Sequence, residues 1–270
     1  MTDYLVFRLY APLASWGSPA VGERRPSADH PGRGALLGLI GAAMGIRRDD
    51  SDALARIDKG LAFGIRQRTS GTLLRDYHTA QVPSSERNVR HRTRRDELSG
   101  PGHRLNTVLS TRDYRCDGLW TVAVWLTPEA QISLQEVEQA LLTPRFVLYL
   151  GRKACPLGAP LAPRIVSCRH LKQALDIDFP ALTLRPGDLA QNARDSAKSD
   201  AARREVSALS LTGADQYVWE GEATFLDGNE DGVEANHVWD QPLDRQRWQF
   251  GARSEFSRTQ QIDRTSTEAH

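Results

Sequence analysis

Over residues 79–106 the alternation of apolar and polar side chains that organises the flanking sequence stops, while Arg87, Arg90, Arg92, Arg94, Arg95 and Arg104 accumulate beside His91 and His103. A stretch of that length without periodicity, set inside a domain, is either a functional excursion or disorder. Strand-like segments stand on both sides of it, 61–66 and 72–76 before, 107–115 and 119–126 after. The arm therefore has to leave one domain and return to it.

The remaining elements fall around this arm. Tyr4, Leu5, Val6, Phe7 and Leu9 surround a single charge and predict a buried first strand over 4–10. Pro12, Gly17, Pro19, Gly22, Pro26 and Pro31 bar regular structure over 11–32. Residues 34–46 place Leu and Ile around Gly38, Gly41 and Ala42, which predicts a helix lying close against a sheet. Asp50 or Ser51 can cap a second short helix reaching Lys59. Asp117-Gly118 reads as the turn of a hairpin. Residues 128–142 read as a helix with Ser133 as its cap, closed by Pro144, and 146–150 and 162–168 as strands. The order is that of an α+β, ferredoxin-like (RRM-like) βαββαβ domain, whose open sheet face is a common RNA platform. The expected division is 1–175 for that domain, with a thumb at about 79–106, then a smaller irregular β-containing extension over 176–258 packing on it, then a polar tail. Only residues 216–220 of the extension read as a clear strand.

Hydrophobic residues at 40% and charged residues at 26% exclude intrinsic disorder and permit a real core. No apolar run approaches the ~20 residues a membrane helix needs, and no leader precedes the first strand, so a cytoplasmic location is expected. Cys116, Cys155 and Cys168 are odd in number and lack metal-ligand spacing, so reduced thiols, no metal and no cofactor are expected.

The net charge of +1 conceals a segregation. Residues 139–175 contain no acid but hold Arg145, Arg152, Lys153, Arg164, Arg169 and Lys172, whereas 220–240 hold seven acids and no Lys or Arg. Such asymmetry suggests one face for a polyanion and another that repels it. Of 35 basic residues only Lys59, Lys153, Lys172 and Lys198 are lysines, a bias that suits bidentate phosphate contact and stacking on bases, although an arginine-rich genome produces it equally. The acidic run reads as a solvated loop.

Three segments carry a more specific signal: Leu9-Tyr-Ala-Pro-Leu-Ala-Ser-Trp-Gly17 with Arg24-Arg-Pro26 and the glycine-rich 34–46; Leu74-Arg-Asp-Tyr-His-Thr79; and Tyr149-Leu-Gly-Arg-Lys-Ala-Cys-Pro-Leu157. In this order and spacing the chain resembles the CasD family, the crRNA 5′-handle-binding subunits of the type I-E CRISPR Cascade complex, from Tyr4 to about Cys168 and weakly to Ser257. The resemblance implies a ferredoxin-like fold with a long thumb and a non-catalytic role in antiviral defence. It implies crRNA, the backbone subunit CasC and the large PAM-reading subunit CasA as partners, with target DNA near the PAM as a further contact and no membrane.

Holding a single-stranded handle needs charge neutralisation, flat surfaces for bases and close main-chain approach to phosphates. The candidates are Arg24, Arg25, Arg33, Tyr77, His78, Arg90, Arg92, Arg94, Arg112, Tyr114, Gly151, Arg152 and Lys153, with Trp16 for base stacking. Arg112 and Tyr114 would share one face of a strand and Arg115 the other. Each has a bland counterpart: idle loop arginines, a core tryptophan, structural hydrogen bonds at Tyr77 and His78. The glycine-rich 34–45 segment lacks phosphate-cradle order and is better explained by packing. Two other functions compete. One is metal-independent cleavage of precursor crRNA, with Tyr77, His78, His30 or Lys153 as acid and base. The other is a DNA-binding or protein-interaction module.

Overall fold

The first strand locates the core. In the computed structural model, which describes residues 1–17, 20, 22–84, 90–99, 105–183, 195–211, 213–244 and 249–261, β1 (Thr2–Ala14) is buried along most of its length. Its side chains alternate between two apolar clusters. Leu5, Phe7 and Leu9 pack with α1 (Arg33–Met44), α2 (Ser51–Gly60) and α4 (Leu134–Leu142), and Tyr4 and Val6 pack with α5 (Leu171–Leu175), Tyr217 and Trp219. A strand covered on both faces reads as a near-continuous apolar run, as this one does apart from Arg8. The face opposite α1 and α4 is thus not an open platform around β1, because α5 and Leu226 cover it.

The sheet order is β6-β1-β5-β3-β7-β9-β8, with β6 at Arg164–Cys168, β5 at Leu105–Leu126, β3 at Leu61–Thr69, β7 at Ala214–Trp219, β9 at Gln249–Gln261 and β8 at Glu234–Asp244. All these pairs are antiparallel, so the chain is a mixed α/β protein built on an antiparallel sheet. The described part of 176–258 is more regular than its sequence suggests: β7 pairs directly with β3, β8 and β9 extend the sheet, and α6 spans Asp195–Ala208.

The caps follow the sequence. The Asp50 side chain accepts from the Ala53 amide, and Ser133 closes a capping box with Glu136, although α4 starts at Leu134, several residues after Pro128. Gly45 ends α1 with φ +77. The small residues of α1 do not face the sheet as expected. Gly41 receives Ile57 and Leu54 of α2, and nothing lies within 4 Å of a Cβ built on Gly34 or Gly38.

The hairpin expected at Asp117-Gly118 is absent. β5 runs through that dipeptide, and the break falls in its partner instead. β3 pairs with Leu119–Leu126, Ser70 and Gly71 kink, and β4 (Thr72–Pro83) continues along Leu105–Cys116. Gly71 has φ +70 and a Cβ there would lie 2.0 Å from the Cys116 carbonyl oxygen, so only glycine fits. Asp117 has φ 58, and a Cβ on Gly118 would strike the Trp120 ring; the pair serves as an irregularity inside a strand, which uses the same turn-forming residues. The described part of the arm is therefore a two-stranded ribbon of Thr72–Pro83 against Leu105–Cys116, which begins before and ends after the 79–106 boundary, with α3 (Arg94–Ser99) between the two strands in sequence.

Residues 146–150 are not a strand either. Leu148 and Leu150 are buried and Val147 is exposed, an alternation that looks strand-like, but the backbone is tied within a turn through Leu150 N–H to the Cys155 carbonyl at 2.8 Å. The acidic run is a solvated loop only in part: Glu222, Glu230, Asp231 and Glu234 are exposed, while the other three acids are engaged in the fold. Glu220 meets Arg33 at 2.7 Å and Arg253 at 3.4 Å, Asp240 meets Arg253 at 2.6 Å, and Asp227 pairs with Arg258. These acids lock β8 and β9 against α1 and β7.

Candidate nucleic-acid interface

The ribbon's root gathers cations from four separate parts of the chain. β2 (Arg24–Arg25) pairs in parallel with β5, Arg24 opposite Thr111 and Arg25 opposite Arg112. On the other side of β5, Arg75 lies opposite Asp113, Asp76 opposite Arg112 and Tyr77 opposite Thr111. Directly paired residues share a face and neighbours alternate. One face therefore carries Arg24, Arg75 and Tyr77 around Asp113, and the other carries Arg25, Arg112, Tyr114 and His78 around Asp76. Tyr77 is 66% exposed. Arg24, Arg112 and Lys153 have no hydrogen-bond or ion-pair partner for their side chains among the described residues.

The Gly151 turn docks on this root. Gly151 has φ +82, and a Cβ on it would lie 1.7 Å from the Ser15 carbonyl oxygen, so both conformation and contact demand glycine. Ser15 N–H in turn donates to the Leu150 carbonyl at 3.1 Å. Arg152 stands over the Tyr114 ring at 4.7 Å from its centroid and donates to the carbonyls of Asp113 (3.3 Å) and Arg25 (3.0 Å). It works mainly as a clamp between the turn, β2 and β5, and Lys153 beside it is exposed. A cleft of about 340 Å³ opens next to the turn, between Ser15, Gly17, the start of α1 and residues Val147–Arg152.

Two carboxylates sit among these cations, Asp76 half-buried on one face and Asp113 buried on the other. Asp113 is 7% exposed, takes both arms of the Arg75 fork at 2.9 and 3.0 Å, and is held below the ordinary carboxylate range by that hydrogen bond and by the charges of Arg75, Arg24 and Arg152.

Two expected site residues are elsewhere. Trp16 is 3% exposed and packs edge-on against Trp120 at 5.2 Å, so it is a core anchor and not a base-stacking surface. Arg33 is 8% exposed. Its Nε donates to Asp58, Nη1 to Glu220 and Nη2 to the carbonyls of Asp58 and Leu61, which leaves no nitrogen for a phosphate. The approach of Glu220, which follows β7, and of Asp58 in α2 buries it.

The arm arginines lie apart from the Gly151 turn. Arg94 reaches Glu97 at 2.6 Å and the Gln81 carbonyl, and Gln81 is opposite Thr107. Six residues of strand separate Thr107 from Asp113, about 20 Å at ~3.3 Å per residue. Arg90, Arg92, Arg94 and Arg95 are exposed there, whereas Arg87, His103 and Arg104 lie outside the described residues. The groups considered for acid–base work are dispersed. Tyr77 and His78 point to opposite faces of β4, and His30 is mostly buried, 3.9 Å from both Asp29 and Glu255.

Sequence reasoning missed Arg75, Asp113 and Ser15. Arg75 lay within the 74–79 motif, yet its importance depends on a partner 38 residues away. Ser15 reveals itself only through its contacts with Gly151 and Asp113.

A family model described as a CRISPR-associated protein (Cas_Cas5; Cas5d) matches residues 4–255. The chain is similar to the "CRISPR system Cascade subunit CasD" of Escherichia coli (strain K12), at 40% identity over 169 residues, covering 60% of this chain and 70% of that protein. Its fold is similar to that of a chain in a "CRISPR RNA-guided surveillance complex", with a TM-score of 0.61 at 22% identity over 96% of this chain and 90% of the other.

Proposed function

This chain belongs to the Cas5 family of CRISPR-associated proteins, the family of CasD, and from that premise we propose that it is a non-catalytic RNA-binding scaffold subunit of a type I-E Cascade complex. It binds and caps the 5′ handle of crRNA and joins the CasC backbone to the large subunit CasA, in the cytoplasm. The observation that carries this reading is the set of cations at the ribbon's root, Arg24, Arg25, Arg75, Arg112 and Lys153, open to solvent on two faces beside an exposed Tyr77. Phosphates meet the cations, and unstacked bases meet the Tyr77 ring.

A ferredoxin-like core is part of the proposal. The order β6-β1-β5-β3, with α1 and α4 packed on one face, supports a βαββαβ unit within residues 1–175, with the 176–258 region as a buttress. The ribbon takes the part of the thumb and reaches a neighbouring backbone subunit, and the arginines near its end contact RNA or that neighbour. Among the described residues no helix is long and apolar enough to cross a membrane, and no group of three potential metal ligands occurs.

The opposed directions of Tyr77 and His78 disfavour the cleavage reading, because one scissile phosphate cannot lie on both faces of the ribbon. Binding of the purified chain to single-stranded handle RNA, measured against duplex DNA of equal length over a salt series, tests the proposal. With about five phosphates neutralised, log affinity falls with log salt at a slope near ~3.5, from ~0.7 per single-strand contact. Salt-independent binding or a preference for the duplex overturns it. Site-specific cutting of repeat RNA, lost in Tyr77→Phe or His78→Ala, would establish the enzyme instead.

A further inference from the structure

We propose that Asp113 is a positioning residue of the RNA site, one that aims Arg75 at a phosphate, and that Arg75 is itself an RNA-contacting residue; the inference rests on the RNA-binding reading above. A carboxylate inside a polyanion site repels the ligand, so its presence there calls for a compensating role. Asp113 is built in firmly. Its main-chain carbonyl accepts from Ser15 Oγ at 3.0 Å and from Arg152 Nη1 at 3.3 Å, which ties this point of β5 to the end of β1 and to the Gly151 turn. Its side-chain oxygens take Nε and Nη2 of Arg75 in a fork at 2.9 and 3.0 Å. The fork fixes the guanidinium plane and leaves Arg75 Nη1 without a partner among the described residues, on a side chain 53% exposed. Arg24 and Tyr77 share that face with Arg75 by strand register. An arginine held in this way loses little rotamer freedom when a phosphate arrives, because the freedom has already been spent in the fold.

A plain cross-strand staple would show the same hydrogen bonds, and the two roles predict opposite signs. If Asp113 only staples the ribbon, or stands by, Asp113→Asn removes a repulsive charge and leaves single-stranded RNA binding unchanged or tighter. If it positions Arg75, Asp113→Asn weakens binding on the order of ten-fold, the scale of one lost charge-assisted contact. The salt slope then falls by ~0.7 as that phosphate contact is lost. Arg75→Gln gives the same loss and the same slope, and Asp113→Asn adds nothing in the Arg75→Gln background, since the two act as one unit. The probe is a single-stranded RNA of handle length and the protein is the full chain, with melting temperatures recorded for each variant. If the wild type fails to bind RNA, the functional reading falls and this inference with it. If the wild type binds and Asp113→Asn binds as well or better, this inference alone falls. Should Asp113→Asn melt below the assay temperature, Arg75→Gln decides: wild-type affinity overturns the proposal, and the ten-fold loss with the lower slope supports it.

Discussion

Arg33 and Arg253 lie against α1 and β7; Arg24, Arg25, Arg75 and Arg112 lie at the root of the ribbon. The side chain is the same, yet the nitrogens are spent differently. In the first group each Arg33 nitrogen is engaged by Asp58, Glu220 or a carbonyl, and Arg253 bridges Asp240, Glu255 and Glu220 on a buried side chain. In the second two carboxylates, Asp113 and Asp76, stand among more numerous cations, only Asp113 takes an arginine fork, and donors remain facing solvent. The first group neutralises charge inside the fold, and the second leaves a surplus of positive charge outside it. Counting arginines along the chain cannot separate the two groups. Counting the donors that face solvent does.

The largest expected effect breaks the first group. Arg33→Ala takes the guanidinium from Asp58 and one of the two that Glu220 meets, and costs about 3–5 kcal/mol, as loss of one partner from a buried pair does. Denaturant unfolding measures it, while RNA affinity of the molecules that remain folded stays near wild type. A loss under ~1 kcal/mol would mean that the network is solvated and the contrast false.

The next effect lies within the exposed arginines and sets root against tip. Arg24→Ala with Arg112→Ala removes two open cations and should weaken RNA binding ten-fold or more at moderate salt, with the slope lower by about 1.4 from two contacts. Arg92→Ala with Arg94→Ala should cost less than about three-fold for the isolated chain, since Arg94 is already engaged by Glu97 and Gln81. Equal losses from the two pairs would show that RNA runs the length of the ribbon.

The smallest effect concerns pH. Asp113 titrates below its unfolded value because Arg75 binds its charged form. Its contribution to stability is therefore complete above the unfolded pKa, near ~3.9, and is lost as pH falls through the lower folded value. The stability difference between wild type and Asp113→Asn should stay constant from neutral pH to about pH 4 and narrow below it. A difference that begins to shrink near pH 6 would contradict the Arg75 pairing.

Local chemistry was the legible part. The first strand, the α1 and α2 helices and the Asp50 and Ser133 caps follow from apolar spacing and side-chain oxygens near their own backbone amides. The alternation of Arg112 and Tyr114 against Arg115 followed from strand geometry, and β5 carries it. What misled was chemistry with two uses. Asp117-Gly118 permits a hairpin turn or an irregular strand, and which occurs depends on where the partner strand breaks. Trp16 before a glycine suits a base platform or a core anchor, and Trp120 decided for the core. The alternating 146–150 segment lacked only a partner strand.

The sequence by itself determined that the first strand of this chain is buried, that a basic excursion interrupts the domain, and that its charges are segregated along the chain. Such properties depend on residues near one another in the chain. Tertiary structure alone decided which arginines are spent and which are open, because each pairing joins distant positions: Arg33 to Glu220, Arg75 to Asp113, Arg152 to the carbonyls of Arg25 and Asp113. Hydrogen-bond donors are satisfied in space, and no local pattern records where a partner will arrive.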